Sequence, residues 1–292
     1  LYTSGEFKRR VEQQFEGDFT LKFHLAPPLL AKKNAQGQLI KKEYGSKRKT
    51  SSENAEEAVY EEKKMEETEV CFLMDRFGYM KLIDKNAYER NKEAVHNENK
   101  YVFNCMNTDK ICIFTDTGKM HTIKAVDIPL GRFRDKGTPV DNLSNYDSSQ
   151  ERMLYVAPVG QLRSDRLLFV TKTSMCKLVE GAEFDVAKRT IASTKLADED
   201  ELIFIGSASE MEQIVLQSHG GCFLRFLTQE VSTMKKTALG VRGMKLADDD
   251  YLEHAYLLAG HQEYTISYHD KEYALNKVRL AKRDTKGIKP RI

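Results

Sequence analysis

The sequence predicts an all-β protein. It should form a propeller-like disc of about five blades, preceded by a short helical linker and a poorly structured N-terminal segment. Three observations carry that expectation. A hairpin pattern recurs five times after residue 69. Its turns stand 40, 56, 46 and 50 residues apart, about the length of one four-stranded propeller blade. From the second copy onward, a basic loop follows each hairpin.

The copies occupy residues 70–81, 111–121, 167–177, 214–225 and 264–275. Each opens with an apolar strand, passes through a tight turn and continues into a second strand. In the first four copies that strand carries Lys81, His121, Lys177 and Arg225. The expected turn residues are Gly78, Gly118, Ser174, Gly220 and Asp270. Such residues either tolerate unusual backbone angles or cap a turn with a short polar side chain. In copies three and four the basic loop leads to an acidic turn, Asp198-Glu199-Asp200 or Asp248-Asp249-Asp250, and then to another apolar run. A β-sandwich, the second-ranked architecture, requires no such self-similarity.

Upstream of the repeats the pattern differs. Residues 1–39 hold a possible helix at 6–15, the pair Pro27-Pro28 and a turn-like stretch at 34–37. Residues 40–68 are highly charged and read as a helical linker, with Ala55, Ala58 and Val59 at helix-compatible positions. The repeat region is expected to run from 69 to 292. Eight glutamates between 53 and 69, against Lys63 and Lys64, give that stretch a charge of −6 and leave the remainder at +8. A basic body beside an acidic linker suits a polyanionic partner.

Composition bounds the class. The 292 residues are 40% apolar, enough for a real core. No apolar run approaches the roughly 20 residues that span a bilayer, and the N-terminus has no signal-peptide pattern, so a soluble chain is expected. Five cysteines without a C-x-x-C pair fit a reducing compartment, as buried thiols and not as a disulfide framework or zinc site.

No phosphate-binding loop, metalloprotease helix or nucleophile elbow occurs, and the histidines at 24, 96, 121, 219, 254, 261 and 269 lack metal-ligand spacing. Catalysis by this chain alone is not expected. The basic loops remain: Arg132, Arg134 and Lys136; Lys188, Arg189 and Lys195; Lys235, Lys236, Arg242 and Lys245; Lys282, Arg283, Lys286 and Lys289. Equivalent loops fall at equivalent places on successive blades, so these fourteen residues should form a belt that neutralises the phosphates of a bent duplex. The competing class is a protein-interaction propeller, whose partner would sit on apolar hot spots of the disc face.

The repeated hairpins, Gly137-Thr138-Pro139, the stretch 235–246 and the stretch 282–287 resemble the C-terminal domain of bacterial type IIA topoisomerase A subunits. These are the DNA gyrase and topoisomerase IV A subunits, of clostridial type, and the likeness covers residues 40–292. Residues 40–50 resemble the end of the coiled-coil arm before that domain. The resemblance implies a β-pinwheel, a propeller-like disc whose blades exchange strands, that binds and wraps duplex DNA. It implies a complete, cytoplasmic and nucleoid-associated enzyme that uses ATP and magnesium, with two partners, a B subunit plus a second A subunit. The cleavage tyrosine and metal-binding acids of that family match no position here. The glutamine-, arginine- and glycine-rich box of gyrases has no copy, and Gly240-Val241-Arg242-Gly243 reads as an ordinary blade loop. Supercoiling and topoisomerase IV-like relaxation or decatenation therefore both stand as implied activities. Residues 1–39 instead resemble a fragment of indolepyruvate ferredoxin oxidoreductase, joined near residue 40. An enzymatic role would rest on that segment alone and on a thiamine or iron–sulfur cofactor.

Overall fold

Alternating apolar residues and tight turns give five antiparallel units in the computed structural model, which describes residues 66–260 and 263–290. The helix expected at 6–15, the segment 1–39 and nearly all of the linker lie outside the described residues. Residues 66–68 have irregular backbone.

Blade 1 pairs β1 (Glu69–Asp75) with β2 (Tyr79–Asp84) and β3 (Asn99–Met106). Blade 2 is built on β4 (Lys110–Thr115), β5 (Lys119–Lys124) and β7 (Met153–Pro158). Blade 3 uses β8 (Arg166–Thr171), β9 (Met175–Glu180) and β11 (Leu202–Ser207). Blade 4 uses β12 (Gln213–Ser218), β13 (Phe223–Leu227) and β15 (Leu252–Leu258). The fifth unit is the hairpin of β16 (Thr265–Tyr268) and β17 (Lys271–Ala274).

Each of the first three sheets gains a fourth strand from the chain that follows the next blade's hairpin. β6 (Thr138–Pro139) leaves blade 2 to pair with β2. β10 (Thr190–Ala192) leaves blade 3 for β5, and β14 (Val241–Arg242) leaves blade 4 for β9. Ile288, after the fifth hairpin, bridges to Phe223 of blade 4 in the same way. This is the strand exchange of a pinwheel. At three crossings the backbone approaches so closely that only glycine fits. A Cβ on Gly137 would lie 2.5 Å from the Met80 carbonyl oxygen, on Gly240 2.7 Å from that of Cys176, and on Gly287 2.9 Å from that of Phe223.

The period-2 pattern explains why the central strands are apolar on both faces. Val70, Phe72 and Met74 pack toward Ile111 and Ile113 of blade 2. Leu167 and Phe169 face blade 2, while their neighbours Leu168 and Val170 face Ile214 and Leu216 of blade 4. Val215 turns the other way, toward Tyr268 and Tyr273 of the fifth hairpin. Among the described residues no blade precedes Cys71, Leu73 and Ile83. A helix, α1 (Lys85–Glu98), covers them with Val95, Ala87 and Tyr88. The repeat pattern predicts only strands in this region. The signals for α1 are local: Asp84 accepts from the Ala87 amide at 2.9 Å as an N-cap, ahead of a run of good helix formers.

The hairpin turns also have a shared device. Asp75, Thr115, Thr171 and Ser218 each accept at their carbonyl from the residue three on, Gly78, Gly118, Ser174 or Gly221, which has positive φ. The fourth turn therefore rests on Gly221, at φ 78°, and not on the expected Gly220. The fifth is a two-residue turn with His269 and Asp270 both left-handed. The acidic turns hold the hairpins from outside. Asp200 accepts from the Thr173 amide and hydroxyl, and Asp250 from the Gly220 amide.

Four of the five free cysteines are buried and Cys222 is partly so. Burial pushes the Cys71 thiol up to about 11 and those of Cys105, Cys112 and Cys176 to about 12, so these are packing residues.

Candidate nucleic-acid interface

The third strands of successive sheets pack against each other, β3 on β7, β7 on β11 and β11 on β15. In each four-stranded sheet the donated strand is the opposite edge. The donated strands β6, β10 and β14 therefore face outward, and the loops leading into them form the rim. These are the basic loops of the sequence.

The second strand of the hairpin pins the rim loop that crosses it. Lys81 Nζ donates to the Phe133 and Asp135 carbonyls, both at 2.5 Å. Lys177 does the same to Lys236 and Ala238 at 2.7 and 2.6 Å. Arg225 reaches the Asn276 and Val278 carbonyls at 2.5 and 3.0 Å. Lys177 is only 1% exposed, and burial pushes its ammonium down to about 8. The recurring cation of the hairpin is thus a structural strut. The repeat does not reveal this role, because the carbonyls it serves belong to the next blade.

Blade 2 replaces the strut with a polar cluster. His121 Nδ1 lies 3.1 Å from Thr190 Oγ1 on the donated β10, and its Nε2 lies 3.2 Å from a Glu151 oxygen. Burial would raise the Glu151 carboxyl, but hydrogen bonds from Thr115, His121 and Thr117 outweigh it and hold the group below the usual range.

The rim loops share a local form. Asp135 donates from its amide to the Arg132 carbonyl and Ala238 to that of Lys235, while the Thr285 hydroxyl reaches the Lys282 carbonyl. A basic residue thus opens each of three turns. Consecutive loops also touch. The Lys195 amide donates to the Lys236 carbonyl at 3.1 Å, and Lys245 to that of Thr285 at 3.0 Å. The loops carrying 188–195, 235–245 and 282–286 are therefore hydrogen-bonded to one another in series. Arg132, Arg134 and Lys136 sit on the loop of the blade 1 edge, where Lys136 lies 4.3 Å over the Tyr79 ring.

The fourteen expected residues divide by environment. Arg134, Lys136, Lys188, Arg189, Lys195, Lys245, Lys282, Lys286 and Lys289 are exposed and make no ion pair with a described residue. Arg132 is paired loosely with Asp135 at 3.7 Å and Lys235 with Glu183 at 3.5 Å. Arg242 forks onto Asp284, whose carboxyl these hydrogen bonds hold below the usual range. Two others face inward. Lys236 Nζ donates to the Glu183 carbonyl at 2.9 Å, and Arg283 Nε to that of Glu230 at 3.0 Å. Their heads join loops and both residues are half-buried. Among the described residues, no three His, Cys, Asp or Glu side chains are grouped to hold a metal ion.

The family described as DNA gyrase C-terminal domain, beta-propeller, matches residues 109–148, 165–209 and 212–259, which hold the hairpins of blades 2, 3 and 4. The DNA gyrase A subunit of Clostridium acetobutylicum is 29% identical over 215 residues, 70% of this chain and 26% of its own. That of Salmonella typhimurium is 28% identical over 225 residues, 73% of this chain and 26% of its own. That of Mycoplasma pneumoniae is 26% identical over 307 residues, 97% of this chain and 35% of its own. The last alignment reaches into the segment before residue 40, which its sequence set apart as foreign. The chain spans about a quarter to a third of these relatives. Among solved structures, the C-terminal domain of DNA topoisomerase IV superposes with TM-score 0.66 at 22% identity, covering 76% of this chain and 72% of that one. The DNA gyrase A C-terminal domain gives 0.51 at 18% identity, with 76% of each chain covered. At these identities the likeness is one of fold. Residues 109–148, 165–209 and 212–259 match the DNA gyrase C-terminal domain family, described as a beta-propeller, and the described β-rich region as a whole has the fold of the topoisomerase IV C-terminal domain.

Proposed function

We propose that residues 69–292 bind duplex DNA along the rim and wrap it, as the non-catalytic C-terminal domain of an ATP-dependent type II topoisomerase. One observation carries the reading: basic rim loops of successive blades recur at the same sheet edge and are hydrogen-bonded in series. Bending 20–30 bp through 40–90° costs roughly 1–6 kcal/mol, which many phosphate contacts offset. In this reading the cleavage tyrosine, the magnesium and the ATP belong to other domains. The partners are a B subunit plus a second A subunit, in the cytoplasm on the nucleoid. The linker 40–68 is the end of the arm that carries the domain; the foreign reading of 1–39 rests on its resemblance alone and stands against the Mycoplasma pneumoniae alignment that runs into it. α1 follows the first hairpin, where blades 2 to 5 have a rim loop, and it carries no glutamine-, arginine- and glycine-rich stretch. Relaxation or decatenation is therefore favoured over active supercoiling.

The test is to seal a nicked circle with ligase in the presence of the chain and measure the linking number. Wrapping changes it in proportion to bound protein. An unchanged linking number at saturating, salt-sensitive binding leaves binding without wrapping. Salt-insensitive binding, or none, sinks the reading and favours a protein partner.

A further inference from the structure

A recess of about 190 Å³ opens where the β1–β2 turn of blade 1 meets the chain entering β7 of blade 2. None of the fourteen rim cations lines it. Its wall brings together Arg76, Lys100 and Arg152 with the rings of Phe77 and Tyr101. Phe77 is 80% exposed, the most exposed large apolar side chain among the described residues. It occupies the third position of the turn closed by Gly78, and its amide donates to Asp75 Oδ1 at 2.8 Å. Backbone hydrogen bonds set where this ring stands, since packing does not cover it.

The charges point the same way. Lys100 Nζ lies 5.1 Å from the Tyr101 ring centroid. Burial and the Arg152 guanidinium hold the Lys100 ammonium below the usual lysine range. The wall's two acids each turn one oxygen to backbone amides and form no ion pair with Arg76, Lys100 or Arg152. Asp75 Oδ1 accepts from the Phe77 and Tyr79 amides, and Asp141 Oδ1 from the Ser148 amide. The Arg152 amide donates to Asp116 Oδ1 at 2.9 Å, while its guanidinium stands 3.6 Å from the other oxygen. Two mutually repelling cations beside an uncovered aromatic ring call for an anion that carries a flat apolar face. The volume equals about six waters.

We propose that this recess takes an unstacked nucleotide of single-stranded DNA, its phosphate between Lys100 and Arg152 and its base against the Phe77 ring. A paired duplex keeps its base faces stacked and offers Phe77 nothing. A free phosphate would use the cations and leave the ring bare. Base–aromatic stacking is sequence-tolerant, so the site reads strandedness and not sequence. The inference stands on the recess alone and does not depend on wrapping at the rim.

The test measures anisotropy of a short labelled oligothymidylate and of a duplex, with the full chain at one salt concentration. Phe77→Ala is expected to weaken oligothymidylate binding about 5- to 150-fold while duplex binding stays the same. An abasic oligonucleotide of equal charge should bind the wild type and Phe77→Ala equally. Lys100→Ala should weaken both oligonucleotides. Lys188→Gln/Arg189→Gln/Lys195→Gln should weaken the duplex and spare the oligothymidylate. The proposal is overturned if Phe77→Ala leaves oligothymidylate binding unchanged, if it weakens duplex equally, or if the wild type does not distinguish thymidylate from abasic strands.

Discussion

Replacing Lys188, Arg189 and Lys195 with glutamine separates a phosphate-binding rim from a merely charged surface. All three side chains are exposed and unpaired among the described residues, while their backbones stay engaged: the Arg189 carbonyl accepts from Thr122 and the Lys195 amide donates to Lys236. The fold should therefore survive with an unchanged Tm. On B-DNA each phosphate contact contributes about 0.9 to the slope of log K against log salt, so the variant's slope should be shallower by about 2.7. Between 50 and 200 mM salt the wild type should then lose about 40-fold more affinity than the variant. Fluorescence anisotropy on a labelled duplex across a potassium chloride series measures both. Lys236→Gln and Arg283→Gln form the contrast. Their heads are held by the Glu183 and Glu230 carbonyls, so these changes should lower the Tm and alter the slope by less than about one. A triple variant with the wild-type slope, or inward-facing variants that change the slope as much, would refute the assignment of free and structural cations.

Three further outcomes follow from the strand exchange. Between pH 8 and 10 Lys177 should contribute a rise in stability of at most about 1.4 kcal/mol per unit, because the unfolded chain binds a proton that the buried ammonium has released. Set against it is the fall from the buried Cys71, Cys105, Cys112 and Cys176 thiols, which keep protons that the unfolded chain loses. Lys81, lowered in the same direction chiefly by burial, adds to the rise. Urea titrations should show it reduced in Lys177→Met. Gly240→Ala combines φ 107° with a Cβ 2.7 Å from the Cys176 carbonyl oxygen, so it should detach β14 and cost at least about 1–3 kcal/mol. Faster hydrogen exchange at Cys176 and Gly243 would report the detachment. Ser174→Ala keeps the left-handed residue at φ 72° and orphans the Met244 amide, which donates to Ser174 Oγ at 2.7 Å, so thermal unfolding should reveal a loss of about 1–3 kcal/mol. A Tm equal to wild type would deny that this hydrogen bond holds the donated segment.

The hairpins are legible in the sequence because their signals are local. Val70 to Met74 alternate between two buried faces, and Gly78, Gly118 and Ser174 occupy the left-handed turn positions expected of them. The fourth turn falls one residue from its expected place because Gly220 and Gly221 are equivalent as letters. Which of them turns depends on Ser218 pairing three residues ahead. α1 stands outside the repeat, so the repeat does not predict it; its own signal is the Asp84 cap and the helix formers behind it. The rim loops are legible as a set, but nothing in the sequence ranks their charges.

The sequence by itself determined the number of hairpins, their spacing, the basic segments between them and the absence of the common catalytic motifs. Those depend on residues within about a dozen positions of one another, where pattern and turn chemistry suffice. Only the tertiary structure decided which cations are struts and which are free. Lys177 and Lys195 are the same residue type, 18 positions apart, but Lys177 lies beneath carbonyls from the following blade while Lys195 stands in water. The exchange of strands between blades brings those carbonyls to the buried ammonium. Partners 59 and 61 residues away leave no local trace in the chain.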